Sequence, residues 1–144
     1  MKKILAIITF LTFLLVGCNS SKEKMILLEE AESISVSKSN GFGGLNERYF
    51  LHVNQQKDIS LWEKIISDAE YDQLPNKNTQ PDFDILIDYG DGNTHGLHLF
   101  LGNKGEKSAF MYVGHEDRFY VISAEASKVL AKELGHPANT TVYE

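Results

Sequence analysis

The chain has 144 residues, with 14 basic and 20 acidic side chains and a formal net charge of −6. A chain of this length can bury roughly two-thirds of its unfolded surface, which suffices for one ordinary domain. Its single cysteine excludes an internal disulfide scaffold. Its acidic balance argues against nucleic acid as a partner, because phosphate backbones are bound by clustered Lys and Arg.

The N-terminus has the pattern of a secretory signal. Lys2 and Lys3 precede thirteen uncharged residues, Ile4 to Val16, in which threonine is the only polar type. A membrane-spanning helix needs about 20 apolar residues, whereas the apolar part of a signal peptide has about 7–15. We therefore predict that residues 1–17 are a signal peptide and do not span the membrane.

The apolar run ends in a lipobox-like sequence, Leu15-Val16-Gly17-Cys18. In bacterial lipoproteins such a sequence marks the cysteine that receives diacylglycerol on its sulfur, and the chain is cut just before it. Cys18 would then be a thioether, so no thiol remains for catalysis or zinc binding. We predict a protein anchored to the cell membrane through diacylglyceryl-Cys18 and facing outward from the cytoplasm, because two or more acyl chains give stable anchoring.

Removal of the signal peptide leaves 127 residues with 12 basic and 20 acidic side chains, a net charge of −8. We predict a lipidated tether over residues 18–30, of which residues 19–24 are a polar spacer, a single domain over residues 31–136 and a C-terminal tail over residues 137–144. An acidic domain is repelled by an anionic bilayer surface, so we expect it to hang from the tether.

Six segments show the alternation of apolar and polar residues that is typical of strands. They are residues 32–38, 48–53, 83–89, 95–101, 109–113 and 118–122. Asp91-Gly92 lies between the third and fourth segments and favours a hairpin, because such a turn needs positive φ at its centre. These short, turn-linked strands argue against a purely helical or a parallel α/β fold.

Two helices are predicted around the strands. Ser60 and Glu63 fit a capping box, and an apolar stripe that begins at Trp62 continues toward a predicted end near Asp72. Ser123 is the predicted cap of the second helix, after the last strand. The predicted fold is therefore α+β: a mainly antiparallel sheet of about five to six strands, in the order ββ-α-ββββ-α, with two helices packed on one face.

Several of these features together resemble the small lipoproteins of low-GC Gram-positive bacteria that carry a YhfM-like domain. The resemblance rests on the lipobox, the Trp-bearing helix, Pro81 to Ile85, Gly96 to Leu101, Phe110-Met111 and Arg118 to Ser123. It covers about residues 31–134. It implies a membrane-tethered envelope protein, and it brings no catalytic residues and no cofactor.

Aromatic and histidine side chains at even positions of the strands suggest a binding face. Its candidate residues are Phe50, His52, His98, Phe100, Phe110, Tyr112 and Tyr120. If the helices cover one face of the sheet, these residues would form the other, as a platform for an envelope protein, a peptide or a glycan. Coverage of both faces by helices and loops is the alternative, and the sequence does not decide between them.

Acidic and histidine residues in the hairpin of residues 82–98 are the candidates for a metal-binding or catalytic site. Asp82, Asp84 and Asp88 are predicted to share one strand face, whereas His95 and His98 should lie on opposite faces and share no metal. The loop after Asp91 lacks the glutamate that closes a calcium loop. No serine lies in a nucleophile motif.

We therefore predict a lipid-anchored, extracytoplasmic, non-catalytic binding or protein-interaction module, without metal or cofactor. The alternative is an envelope hydrolase or a metal-dependent enzyme that uses Asp82, Asp84, His95 or His98.

Replacement of the lipidated residue tests the anchor. In Cys18→Ala no sulfur is left to carry the diacylglycerol, so we expect the protein to leave the membrane fraction. Fractionation of cells followed by immunoblotting measures this, and retention of the variant in the membrane fraction would contradict lipidation.

Overall fold

The computed structural model of the protein describes residues 21–73, 80–115 and 117–135. The predicted signal peptide, Cys18 and the tail over residues 137–144 lie outside the described residues. Within the described ranges, no helix is both long and apolar enough to cross a membrane.

Seven strands form one antiparallel sheet in the described part of the chain. The elements in chain order are β1 (Ser33–Lys38), β2 (Tyr49–Val53), α1 (Gln56–Ser67), β3 (Glu70–Asp72), β4 (Phe83–Asp88), β5 (Thr94–Phe100), β6 (Ser108–Tyr112), β7 (Phe119–Ile122) and α2 (Ala124–Glu133). In space the strands run β2-β1-β4-β5-β6-β7-β3. The α+β class and the antiparallel sheet are confirmed, with seven strands where five to six were predicted.

The additional strand is β3, which occupies part of the stretch that was predicted as the end of the first helix. Helix α1 begins four residues before Ser60, after an extended Gln55, so the predicted capping box is wrong. It ends at Ser67, and the chain then turns to pair with β7, with Tyr71 opposite Tyr120. Three residues are too few for alternation to distinguish a strand from a helix end.

Side-chain alternation divides the sheet into two faces. On the first, which we call the core face, paired strand residues belong to one hydrophobic cluster that also contains buried residues of both helices. Members of that cluster are Ile34, Ile87, Ile85, Leu97 and Leu99 of the strands, Trp62 and Ile66 of α1, and Leu130 of α2. Trp62 is fully buried.

The opposite face, which we call the second face, is crossed by residues 39–48, the connection between β1 and β2. The ring of Phe42 lies 6.0 Å from the ring of His98 and 6.2 Å from that of Phe100. The backbone N–H of Asn46 donates to the carboxylate of Asp84 at 2.7 Å. The centre of the second face is therefore covered by this connection.

Residues 22–25 also contact the folded unit. Lys24 forms a β-bridge with Glu70, and the Met25 N–H donates to the carbonyl of Ala69 at 2.9 Å. The side chain of Met25 is only 2% exposed. Contacts with the domain thus start within the stretch that was predicted as a tether, before residue 31.

Candidate functional site

An open groove of about 600 Å³, which we call the end groove, lies where β5 begins and β6 ends. It is lined by Ile26, Leu28, Leu45, Leu86, Thr94, His95, Gly96, Tyr112, Val113 and His115. Aliphatic side chains form half of this set, while His95, Tyr112 and His115 supply polar groups. Ile26 and Leu28 are 71% and 58% exposed, which is unusual for such large apolar side chains.

Two tyrosine hydroxyls contact the N-terminal segment that forms one wall of the end groove. The Tyr112 hydroxyl accepts a hydrogen bond from the Ile26 N–H at 2.9 Å and donates one to the Ile26 carbonyl at 2.6 Å. The Leu28 N–H approaches the Tyr89 hydroxyl at 3.5 Å, a weaker contact. Tyr112 therefore holds the backbone of Ile26 and leaves its side chain exposed.

Aromatic rings support these hydroxyls from the core face. The imidazole of His95 lies against both Tyr89 and Tyr112, with ring centroids 5.6 and 5.5 Å apart, and its Nδ1 is 3.2 Å from the Tyr89 hydroxyl. Burial lowers the pKa of His95 and raises the pKa values of Tyr89 and Tyr112. Burial thus favours the neutral form of all three side chains.

A polar pair lies on the second face beneath the β1–β2 connection. His98 Nδ1 is 2.7 Å from an oxygen of Asp84, and both side chains are fully buried. The other carboxylate oxygen of Asp84 accepts the Asn46 N–H. His98 Nε2 has no hydrogen-bond partner among the described residues. The pair is outside the lining of the end groove.

The seven residues of the predicted binding face do not share one face. His98 pairs with Met111, and Phe100 pairs with Ala109, so each even-numbered residue of β5 lies beside an odd-numbered residue of β6. Phe110, Tyr112 and Tyr120 consequently lie on the core face, with Phe110 and Tyr120 in its hydrophobic cluster. Even-numbered residues of one strand lie on the same face of the sheet. Even-numbered residues of two different strands need not do so, because the register between the strands decides which residues are neighbours.

A β-bulge places the two predicted residues of β2, Phe50 and His52, on different faces. The register with β1 shifts between Val36 and Ser37. Phe50, which is half-exposed, therefore lies against the core-face ring of Phe83, with centroids 6.0 Å apart. His52 is exposed, and its Nδ1 is 3.0 Å from the Ser35 hydroxyl. Only Tyr112 of the seven candidates lines the end groove.

The hairpin aspartates have separate local partners. Asp82 accepts the Leu101 N–H at 2.8 Å, and Asp88 accepts the Gly90 N–H at 2.9 Å. Asp84 is bonded to His98. Among the described residues, no group of three or more His, Cys, Asp or Glu side chains is placed to hold a metal ion.

The histidines lie as the strand alternation predicted. His95 is opposite Ile87 on the core face, and His98 is opposite Asp84 on the second face. Of the four residues in the enzyme alternative, the hairpin therefore brings only Asp84 and His98 into contact.

Most residues of the end groove were not among the candidates that the sequence predicted. Ile26 and Leu28 fell in the predicted tether, Leu45 in a loop and His115 in a turn. The apolar run Ile26-Leu27-Leu28 after a polar spacer was the available signal, since large apolar residues are uncommon in a free linker. Nothing in the local sequence places these residues beside β5 and β6.

The fold and the end groove define a small α+β domain with an open, largely apolar site. A family model described as YhfM protein matches residues 22–138, and the chain belongs to this family. No curated protein matches.

A solved structure shares the fold. It is the crystal structure, at 1.70 Å resolution, of a thioesterase-like protein from Clostridium sporogenes ATCC 15579, with 16% sequence identity and a TM-score of 0.55. The match covers 77% of this chain and 97% of that chain. At this identity the likeness shows the fold alone.

The lowered pKa of His95 predicts a pH dependence of stability. The folded state disfavours the protonated imidazole. The contribution of neutral His95 to the free energy of unfolding is therefore fully present above pH 6.5, the ordinary pKa of histidine. It is lost as the pH falls through the lower pKa that His95 has in the folded state. Acidification from pH 8 to pH 5 should therefore reduce the free energy of unfolding of the native chain more than that of His95→Gln. Urea denaturation at both pH values measures this, and an equal loss in the two proteins would contradict the assignment.

Proposed function

We propose that this protein is a lipid-anchored domain of the cell envelope that binds a ligand in the end groove and catalyses no reaction. The observation that carries the proposal is the exposure of Ile26 and Leu28 in a groove whose backbone wall is held by the Tyr112 hydroxyl. Apolar side chains exposed in a concave site are characteristic of binding surfaces. The lipobox that ends at Cys18 supports the anchor and the outward-facing location.

An extended peptide segment of an envelope protein is the ligand that fits this groove best. The aliphatic residues of its lining would take apolar side chains of the segment. The imidazoles of His95 and His115 would bond to its backbone amides and carbonyls. A glycan, the other ligand class that the sequence suggested, offers less apolar surface to these walls.

The position of the groove along the chain supports a ligand close to the membrane. Ile26 is eight residues after Cys18 in the sequence. At about 3.3 Å for each extended residue, the lipidated cysteine would lie within roughly 26 Å of the groove wall. The groove would then face proteins that are themselves attached to the same membrane.

The alternative function is an envelope hydrolase or a metal-dependent enzyme that uses Asp and His residues of the hairpin. The hydrogen bond between Asp84 and His98 favours it, because a carboxylate that orients an imidazole is a common arrangement for a general base. The description thioesterase-like applies to the solved neighbour, with which this chain shares the fold at 16% sequence identity. Hydrolysis of acyl esters by the purified chain, abolished in Asp84→Asn, would contradict the non-catalytic proposal.

Photo-crosslinking in living cells tests the groove as a binding site. A benzophenone amino acid at position 28 should give a crosslinked adduct, whereas the same group at position 50 should not. Leu28 and Phe50 are 58% and 50% exposed, so the two positions are matched in accessibility, and Phe50 lies outside the groove.

A blocking variant makes the result specific. Thr94 is an exposed lining residue, so Thr94→Trp should fill the groove and remove the adduct from position 28. Equal yields from positions 28 and 50, or an adduct that survives Thr94→Trp, would contradict the proposal.

A further inference from the structure

One ring nitrogen of the buried Asp84–His98 pair, His98 Nε2, has no hydrogen-bond partner among the described residues. The carboxylate of Asp84 can only accept from His98 Nδ1, so in the neutral imidazole the proton is on Nδ1 and Nε2 carries a lone pair. Nε2 is buried and has no partner among the described residues. Buried polar atoms in native proteins nearly always have a hydrogen-bond partner, so we expect this nitrogen to accept a hydrogen bond from a bound group.

The protein itself fixes the direction of this acceptor. Asp84 is held by two contacts, from the Asn46 N–H and from His98 Nδ1, both at 2.7 Å. With both carboxylate oxygens engaged, the imidazole is held in one tautomer and one orientation. The lone pair of Nε2 is therefore preorganised for an incoming O–H or N–H group.

The cover over this pair has the features of a small flap. Phe42 contacts the ring of His98 edge to face, yet it is 44% exposed. It stands between Gly41 and Gly43, whose φ angles of +105° and +113° are accessible to glycine and rarely to other residues. Binding of a ligand beside His98 would require this turn to rotate and to carry the Phe42 ring away from the imidazole.

The surroundings of the pair determine the chemistry of a ligand. Phe100 and Met111 are buried neighbours of His98 on the second face, and the ring of Phe100 also contacts that of Phe42. An aromatic body would replace the Phe42 ring on this surface. A ligand next to the buried Asp84 carboxylate must be neutral, because an anion would be repelled and a free charge would lose its hydration.

We infer that His98, oriented by Asp84 and covered by Phe42, forms a second binding site for small neutral aromatic molecules that carry one hydroxyl or N–H donor. The ligand displaces the Phe42 ring and donates its hydrogen bond to His98 Nε2. The site is separate from the end groove, and the inference does not depend on the function proposed for that groove.

Phenol and fluorobenzene are a matched pair of probes, because they differ in one donor group and hardly in size. The full-length chain, with ¹⁵N-labelled histidine and held in lipid nanodiscs, is titrated with each compound. We expect phenol to bind about tenfold more tightly than fluorobenzene, the effect of one hydrogen bond to a buried acceptor. We also expect phenol, but not fluorobenzene, to shift the His98 Nε2 resonance.

Two variants test the roles of the Phe42 ring and of His98 Nε2 separately. Phe42→Ala removes the ring that must move and should tighten phenol binding about tenfold, whereas Phe50→Ala, at an aromatic residue of similar exposure, should leave it unchanged. His98→Leu should abolish the preference for phenol over fluorobenzene.

If His98→Leu fails to fold, measurements on the native chain still test the inference. A His98 Nε2 resonance that does not shift at saturating phenol would overturn it. Equal affinities for phenol and fluorobenzene, or an unchanged phenol affinity in Phe42→Ala, would also overturn it.

Discussion

The antiparallel register of β4, β5 and β6 determines where the strand side chains of both candidate sites lie. Pairing of Leu97 with Tyr112 places the tyrosine on the core face, where its hydroxyl can reach the N-terminal segment. Pairing of Asp84 with His98 places these two side chains beside each other on the second face. A shift of one residue in either pairing would move a whole row of side chains to the opposite face. Both sites therefore depend on the same hydrogen-bond ladder.

The two faces serve different purposes as a result. The core face carries the main hydrophobic cluster, and the end groove opens at its margin, where β5 extends beyond the last paired residue of β6. The second face is closed at its centre by the β1–β2 connection. The same connection contributes Leu45 to the end groove, and an added Cβ at Gly96 would lie 3.1 Å from that side chain. The groove and the covered pair are thus neighbours through one loop.

The sequence predicted the regular elements well and the sites poorly. Alternation located six strands, and Ser123 is the cap of α2 as predicted, accepting the Ala126 N–H at 3.1 Å. The short β3 was missed, because pairing with β7 determines it and no local pattern does. The end groove was missed for a related reason, since Ile26 contacts Tyr112 across 86 residues of sequence. The opposite placement of His95 and His98 was predicted because strand alternation is itself local.

Hydrogen exchange at the Ile26 amide tests most directly whether the Tyr112 hydroxyl holds the wall of the end groove. In Tyr112→Phe the amide loses its acceptor, and a net hydrogen bond of about 1 kcal/mol predicts exchange roughly fivefold faster or more. The neighbouring Met25 amide, which is bonded to Ala69, should keep its rate. Tyr71→Phe, at an exposed tyrosine outside the groove, is the matched control. An Ile26 rate that is the same in Tyr112→Phe as in the native chain would contradict the account.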